Sequence, residues 1–302
     1  MTVRDLGRNG LLPGTVRRFV VVAAVLALAP YLVLKVLWLA GSRVGMVPGA
    51  ASHMGDARMQ IGNVITVGLA VCGIAVVLAL VSRWGRRLPW WTVVLPAAVA
   101  TGALAPIALG LPLGALLQAV IRGDVSSGGE GDLLPGVFLV VYGGFAVYGI
   151  ALAILFADYA QRRWSAVLDA GPVPPRTGWG RALPAAALGM FAATTVAWAF
   201  APPSAGLAGW ESIAQRTVLV IVGILTVVGG VALLWRGSST PRGRWAAGWI
   251  GCCTAAVQGP TLLLLANEAV IDPLLLAVTL VATPAAAWLG LSALRRSPAA
   301  AA

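Results

Sequence analysis

A single lysine, Lys35, stands inside a long apolar run from Phe19 to Ala40. An ammonium within membrane hydrocarbon costs about 2.5–3.5 kcal/mol on insertion scales, so it needs a route to water or a partner. Tyr31, Lys35, Trp38 and Ser42 follow at i, i+4, i+7 and i+11, one stripe of a helix. By the 1.5 Å rise, Lys35 lies about 10 Å short of the outer boundary, close enough to snorkel outward with its stem left in hydrocarbon. The alternative is an ammonium turned into the bundle and paired with an outer acid, Glu211, Asp56 or Glu268. Asp56/Gln60 and Glu211/Gln215 are polar pairs four residues apart at the heads of apolar runs, and Asn267-Glu268 closes another run. Acids in a first turn cap free N–H groups and complement the helix dipole. The same pairs near a pseudo-symmetry axis are where transporters place binding sites. The candidate binding residues are therefore Tyr31, Lys35, Trp38, Asp56, Gln60, Trp198, Glu211, Gln215, Asn267 and Glu268.

Little else has the spacing of a reaction centre. The one histidine, His53, falls in an outer link, which excludes a His-ligated haem pair or a zinc-protease site. Cys72, Cys252 and Cys253 all lie in apolar segments without metal or redox spacing, and read as small buried hydrophobes. No G-x-S-x-G or Walker A motif occurs. The chain reads as a non-enzyme that uses no metal and no cofactor.

The stretch Pro30-Tyr31-Leu32-Val33-Leu34-Lys35-Val36-Leu37-Trp38-Leu39-Ala40-Gly41 resembles a P-Y-x-x-L-K-x-x-W-x-x-G pattern in uncharacterised multi-span membrane proteins of high-G+C bacteria. The resemblance covers about a dozen residues, and the group brings no assigned activity, so it implies no function.

The elements that position these residues are membrane spans. Charged residues make up 10% of the chain and hydrophobic ones 59%, whereas a soluble domain needs about 25% charge. Eight apolar runs, near 18–41, 61–82, 90–111, 134–157, 182–201, 217–235, 246–267 and 273–294, are each long enough to cross a core of about 30 Å. In the first, Ala27-Leu28-Ala29 resembles a signal cleavage site. Pro30 follows directly and the apolar run continues, which favours an uncleaved helix. Sixteen arginines sit on alternate links and both ends, opposed there by only Asp5, Asp158 and Asp169. The other side has four arginines against seven acids. Basic links mark the cytoplasmic side, so both termini are placed inside. This sorting makes the net charge of +11 a topology signal with loose attraction to anionic lipid, and argues against nucleic-acid binding. Abundant Ala, Gly and Arg with one lysine suit a high-G+C bacterium, and thus its plasma membrane.

The third run is too long: Trp90 to Ile121 would measure about 48 Å as one helix. Pro106, Gly110 and Pro112 suggest a break there, followed by a short amphipathic piece, Leu113 to Ile121, on the outer surface. A re-entrant segment is the alternative. Pro172, Pro174 and Pro175 make the longest link, Asp158 to Arg181, read as a stiff extended linker. Trp90, Trp91, Trp164, Trp179, Trp245 and Trp249 read as interfacial anchors. Gly41-x-x-x-Gly45 and Gly110-x-x-x-Gly114 read as helix-packing motifs.

The halves match in order: Trp38 with Trp198, Asp56/Gln60 with Glu211/Gln215, Trp91/Pro106 with Trp245/Pro260, and Asp132 with Asp272. Lys35 corresponds to Thr195. The expectation is an all-α membrane protein of two parallel four-helix repeats: 1–160, a cytoplasmic linker at 161–181, and 182–302. An axis along the membrane normal would relate them. Two functions fit. One is a permease for a small molecule or ion, without its own ATPase, whose polar residues converge on a wet cavity between the repeats. The other is a non-transporting helper, immunity or signalling subunit with a solid interior and a small-residue stripe facing lipid, docking a membrane-protein partner or a second copy.

Overall fold

The structure is a computed structural model that describes residues 10–47, 57–123, 134–201, 212–235, 237, 239–264 and 272–296. It contains α1 (Gly14–Leu39), α2 (Ala57–Val81), α3 (Trp90–Arg122), α4 (Pro135–Ala170), α5 (Gly178–Phe200), α6 (Ile213–Leu234), α7 (Pro241–Leu264) and α8 (Pro273–Arg296). All eight are long and apolar enough to span a membrane, where helices satisfy every backbone group internally. The chain is a multi-pass membrane protein.

Helix ends follow local chemistry. Gly41, at φ +83°, turns the chain back so that the Ser42 N–H donates to the Leu37 carbonyl at 2.9 Å. Ser42 therefore leaves the Tyr31–Lys35–Trp38 stripe, and Gly41 and Gly45 belong to a turn rather than a helix-packing motif. Thr177 caps α5 by accepting from the Gly180 N–H at 3.1 Å, and Ser212 caps α6 by accepting from the Gln215 N–H at 3.1 Å. The Asp272 carboxylate accepts the Leu275 N–H at 2.9 Å.

Within each half the helices form a closed ring, α1–α2–α3–α4 and α5–α6–α7–α8, and between halves α3 packs along both α6 and α7. A two-fold axis would repeat the α3–α6 contact as α2–α7, and among the described residues no such pair is substantial. Environments differ as well: Trp91 is 52% exposed, while Trp245 is 8% exposed and donates to the Val167 carbonyl. At the centre lies α7, the least hydropathic span, buried along Gly248, Gly251–Ala255 and Gln258–Gly259. A helix ringed by protein needs less apolar surface than one facing lipid.

Three expectations are corrected here. First, α3 is unbroken over 33 residues. Pro106 has no N–H for the Gly102 carbonyl one turn earlier, and the Gln258 amide donates to that carbonyl instead, at 2.8 Å. Farther along, Gly110 and Gly114 press against α6, where a side chain would meet the backbone of Val218 or Ala214. Gln118 then accepts the Ala214 N–H at 3.3 Å. A neighbouring helix thus supplies the donor that Pro106 removes.

Second, the stretch from Asp158 to Ala170 is helical, carrying α4 onward with a kink at Trp164 (φ −133°, ψ 32°). Third, several supposed anchors are interior or bound to interior groups. Trp249 stacks on Phe156 at 4.8 Å and donates to the Thr101 hydroxyl, joining α7 to α4 and α3, and Trp164 packs edge-on against buried Tyr159. Among the cysteines, Cys252 and Cys253 are buried but Cys72 is exposed on α2.

Candidate functional site

Lys35 turns sideways toward α2. Its Nζ donates to the side-chain amide oxygen of Asn63, Oδ1, at 2.8 Å. It also lies 4.7 Å from the Trp38 ring centre and 5.4 Å from that of Tyr31. The stripe therefore presents two π faces to its own cation, an arrangement that contributes about 0.5–2 kcal/mol per face. The rings are fixed in turn. Trp38 Nε1 donates to the Val44 carbonyl at 2.9 Å, and Tyr31 meets Phe145 of α4 edge-on at 4.7 Å. Tyr142 stacks on Phe138 and points its edge at Phe145. Asn63 is 1% exposed, and its Nδ2 has no acceptor among the described residues. The site thus combines an ammonium with a spare amide donor beside aromatic walls. Gln60 stands one turn before Asn63 on α2.

The remaining described candidates lie in the other half. Trp198 is half-buried on α5, and Gln215 is on the first turn of α6 with its Oε1 buried and lacking a donor among the described residues. The neighbouring Arg216 donates to the Ala199 carbonyl at 3.4 Å. Thr195, opposite Lys35 in the repeat alignment, is buried and donates its hydroxyl to the Ala192 carbonyl. The main contacts of α1 and α2 stay within the first half, so the Lys35 group and the Trp198/Gln215 group occupy separate places. Asp56, Glu211, Asn267, Glu268 and His53 lie outside the described residues.

Neither of two depressions formed by the described residues is lined by a candidate residue. One, of about 560 Å³, is an apolar groove between α1 and α4 lined by Leu34, Leu134, Gly136, Val137 and Val140. The other, of about 440 Å³, opens where the linker meets α5 and α8.

Two groups escaped the reading of the sequence. Asn63 is an amide inside a span, and that alone is the signal that could have found it. Asp158 was read as a loop acid, yet it is fully buried: it accepts from the Leu12 N–H at 3.1 Å and pairs with Arg17 at 3.0 Å and Arg162 at 2.8 Å. Beside it the Tyr159 hydroxyl donates to the Gly85 carbonyl at 3.1 Å, Arg163 donates to Tyr159 and to the Leu88 carbonyl, and Arg162 reaches the Leu80 carbonyl. This clasp joins the start of α1, the α2–α3 turn and α4. The i, i+4 spacing of Asp158 and Arg162 was its visible trace. Buried acids so paired are structural cross-links first.

Comparison of the chain with protein-family models, with curated proteins and with solved structures gives no match.

Proposed function

We propose that this chain is a non-transporting membrane module that docks a helix of a partner membrane protein, set in a bacterial plasma membrane with its basic face in the cytoplasm. The observation that carries this reading is the filled seam between the halves. A carrier whose halves rock about a central site needs a wet cavity near the bilayer midplane. Here a side chain at Gly102 would overlap the Cys253 carbonyl, and Gly110 and Gly114 leave no gap against α6. In keeping with docking, α5 turns Ala182, Ala186, Gly189, Ala193 and Ala197 away from the bundle, all exposed, at steps of four, three, four and four residues. Among the described residues nothing lies within 4 Å of a Cβ placed at Gly189. Small residues at this spacing let a second helix approach closely.

Transport of a small molecule or ion is the second reading, and the half-buried Lys35 with its amide and aromatic neighbours is what favours it. The native cysteines discriminate. In a Cys72→Ser background, Cys253 in the seam and Cys252 in the core of the second half should stay unmodified by a membrane-impermeant maleimide in energised and de-energised membranes. Modification of Cys253 under either condition would overturn the module reading in favour of a carrier. Docking has its own test, a photocrosslinking side chain at Gly189 in native membranes. A protein adduct in high yield is expected, and lipid adducts alone would count against it.

A further inference from the structure

On the basic face, between residues 171–177, the start of α5 and the end of α8, lies the depression of about 440 Å³. Its walls are Val173, Pro175 and Trp288, and its rim is Arg176, Thr177 and Arg296. Charge on this face is unevenly used. Asp158 is taken by Arg17 and Arg162, and Asp169 by Arg242 at 2.7 Å. No carboxylate among the described residues pairs with Arg176 or Arg296.

The Arg296 guanidinium is already oriented. Its Nε donates to the Val173 carbonyl at 3.2 Å, its Nη2 to the Ser292 hydroxyl at 2.7 Å, and the group lies 5.9 Å over the Trp288 ring. Arg181 holds the opposite wall through the Pro175 carbonyl at 2.7 Å. Arg176 is exposed and adds a second positive charge. The first turn of α5 opens on the same place, and its partial positive charge adds to that of the arginines.

The surroundings select the anion. α5 and α8 pack chiefly on each other and on α6 and α7, so the depression sits on a flank of the bundle. Trp179 is 77% and Trp288 47% exposed beside it, as aromatics are at a membrane interface. A basic rim over an apolar wall at that level fits an amphiphile better than a free ion.

We propose that this depression is a binding site for an anionic phospholipid of the adjacent leaflet, its phosphate held by Arg176 and Arg296 and its glycerol and upper chain lying against Val173, Pro175 and Trp288. Two guanidiniums converging on one phosphate make charge-assisted hydrogen bonds, which exceed the loose attraction of scattered basic residues.

The test uses the full chain in phosphatidylcholine nanodiscs with increasing phosphatidylglycerol, counting retained phosphatidylglycerol by native mass spectrometry. Arg176→Gln should weaken the tightest-bound lipid about tenfold, and Arg176→Lys should recover part of that. Arg176 makes no hydrogen bond to the rest of the described chain, so its variants should melt like the parent. Arg296→Gln should weaken retention at least as much. Arg83→Gln, an exposed arginine on the same face in the other half, should change nothing. Equal loss for Arg83→Gln, or retention unchanged in Arg176→Gln, would overturn the site. Stabilisation by inorganic phosphate in pure phosphatidylcholine as large as that by phosphatidylglycerol would overturn its assignment to lipid.

Discussion

The two halves have the same helix count and ring order but are held together differently. Of the most apolar 18 residues of α1, 11% are buried, against 44% in each of α5, α6 and α7. The second half closes through its backbones. Gly229 and Gly251 bring α6 and α7 into contact, and Phe191, Val222 and Val278 belong to a core shared by four helices. Among the described residues the first half has one comparable helix-to-helix backbone approach, Gly144 against the Ala27 carbonyl. Its core, with Val77, Leu80, Leu155 and Tyr159, lies next to the Asp158 clasp. Apolar side chains gain little by leaving lipid for protein, so bundles in membranes depend on close packing and on polar bonds. The second half relies mainly on packing, the first on polar bonds.

The strongest way to break that contrast is at the clasp. Asp158→Ala strands Arg17 and Arg162 and should cost about 3–5 kcal/mol, read as a large fall in melting temperature in detergent. Asp169→Ala, which removes only the exposed pair with Arg242, should cost about 0.2–1 kcal/mol. Equal losses would end the claim that the buried clasp is what chiefly holds the first half.

Next comes close packing. Gly251→Leu would drive a side chain into the backbone of Leu225 and Gly229 and should cost about 1–3 kcal/mol. Gly68→Leu, on an exposed face of α2 with open space around it, should stay within about 0.5 kcal/mol of the parent. A cost at Gly68 as large as at Gly251 would mean that the first half depends on packing too.

The seam can be sharpened by a double-mutant cycle. Gln258→Leu leaves the Gly102 carbonyl without a donor and should cost about 1–3 kcal/mol. In a Pro106→Ala background the helix regains its own N–H at that point, so most of the loss should vanish. Additive melting shifts would show that Gln258 does not compensate for the proline. The smallest effect is expected at Lys35. The coupling between Lys35→Leu and Asn63→Leu should be about 0.6 kcal/mol, the average for hydrogen bonds between membrane helices. A coupling near zero would mean that the ammonium does not rely on that amide.

The eight spans were legible because hydropathy and length alone decide them. What hydropathy could not convey was which groups would find partners. Pro106 reads as a break when its missing N–H is considered alone, and the partner that repairs it lies 152 residues away in Gln258. The onward run of α4 was hidden in the same way, because Asp158 and Arg162 look like loop charges until Arg17 and Leu12 are brought beside them. Trp249 carries the signature of an interfacial aromatic, and only the adjacency of α3, α4 and α7 turns it inward. Of the binding candidates, the stripe of Tyr31, Lys35 and Trp38 followed from helical spacing. Asn63 did not, since pairing between helices depends on rotations that one helix's periodicity does not fix.

The seam also bears on how the chain is made. α3 enters the membrane with Gly102, Gly110, Gly114 and Gln118 on the face that α6 and α7 later cover. α6 begins roughly 90 residues after α3 ends, which at about 5–20 residues per second is a wait of some 5–20 s. For that interval a proline-bearing helix with an unpaired carbonyl at Gly102 must be sheltered by the insertion machinery or by α4. Quality control acting on this protein would accordingly meet its most vulnerable intermediate after four spans, before the second half has been translated.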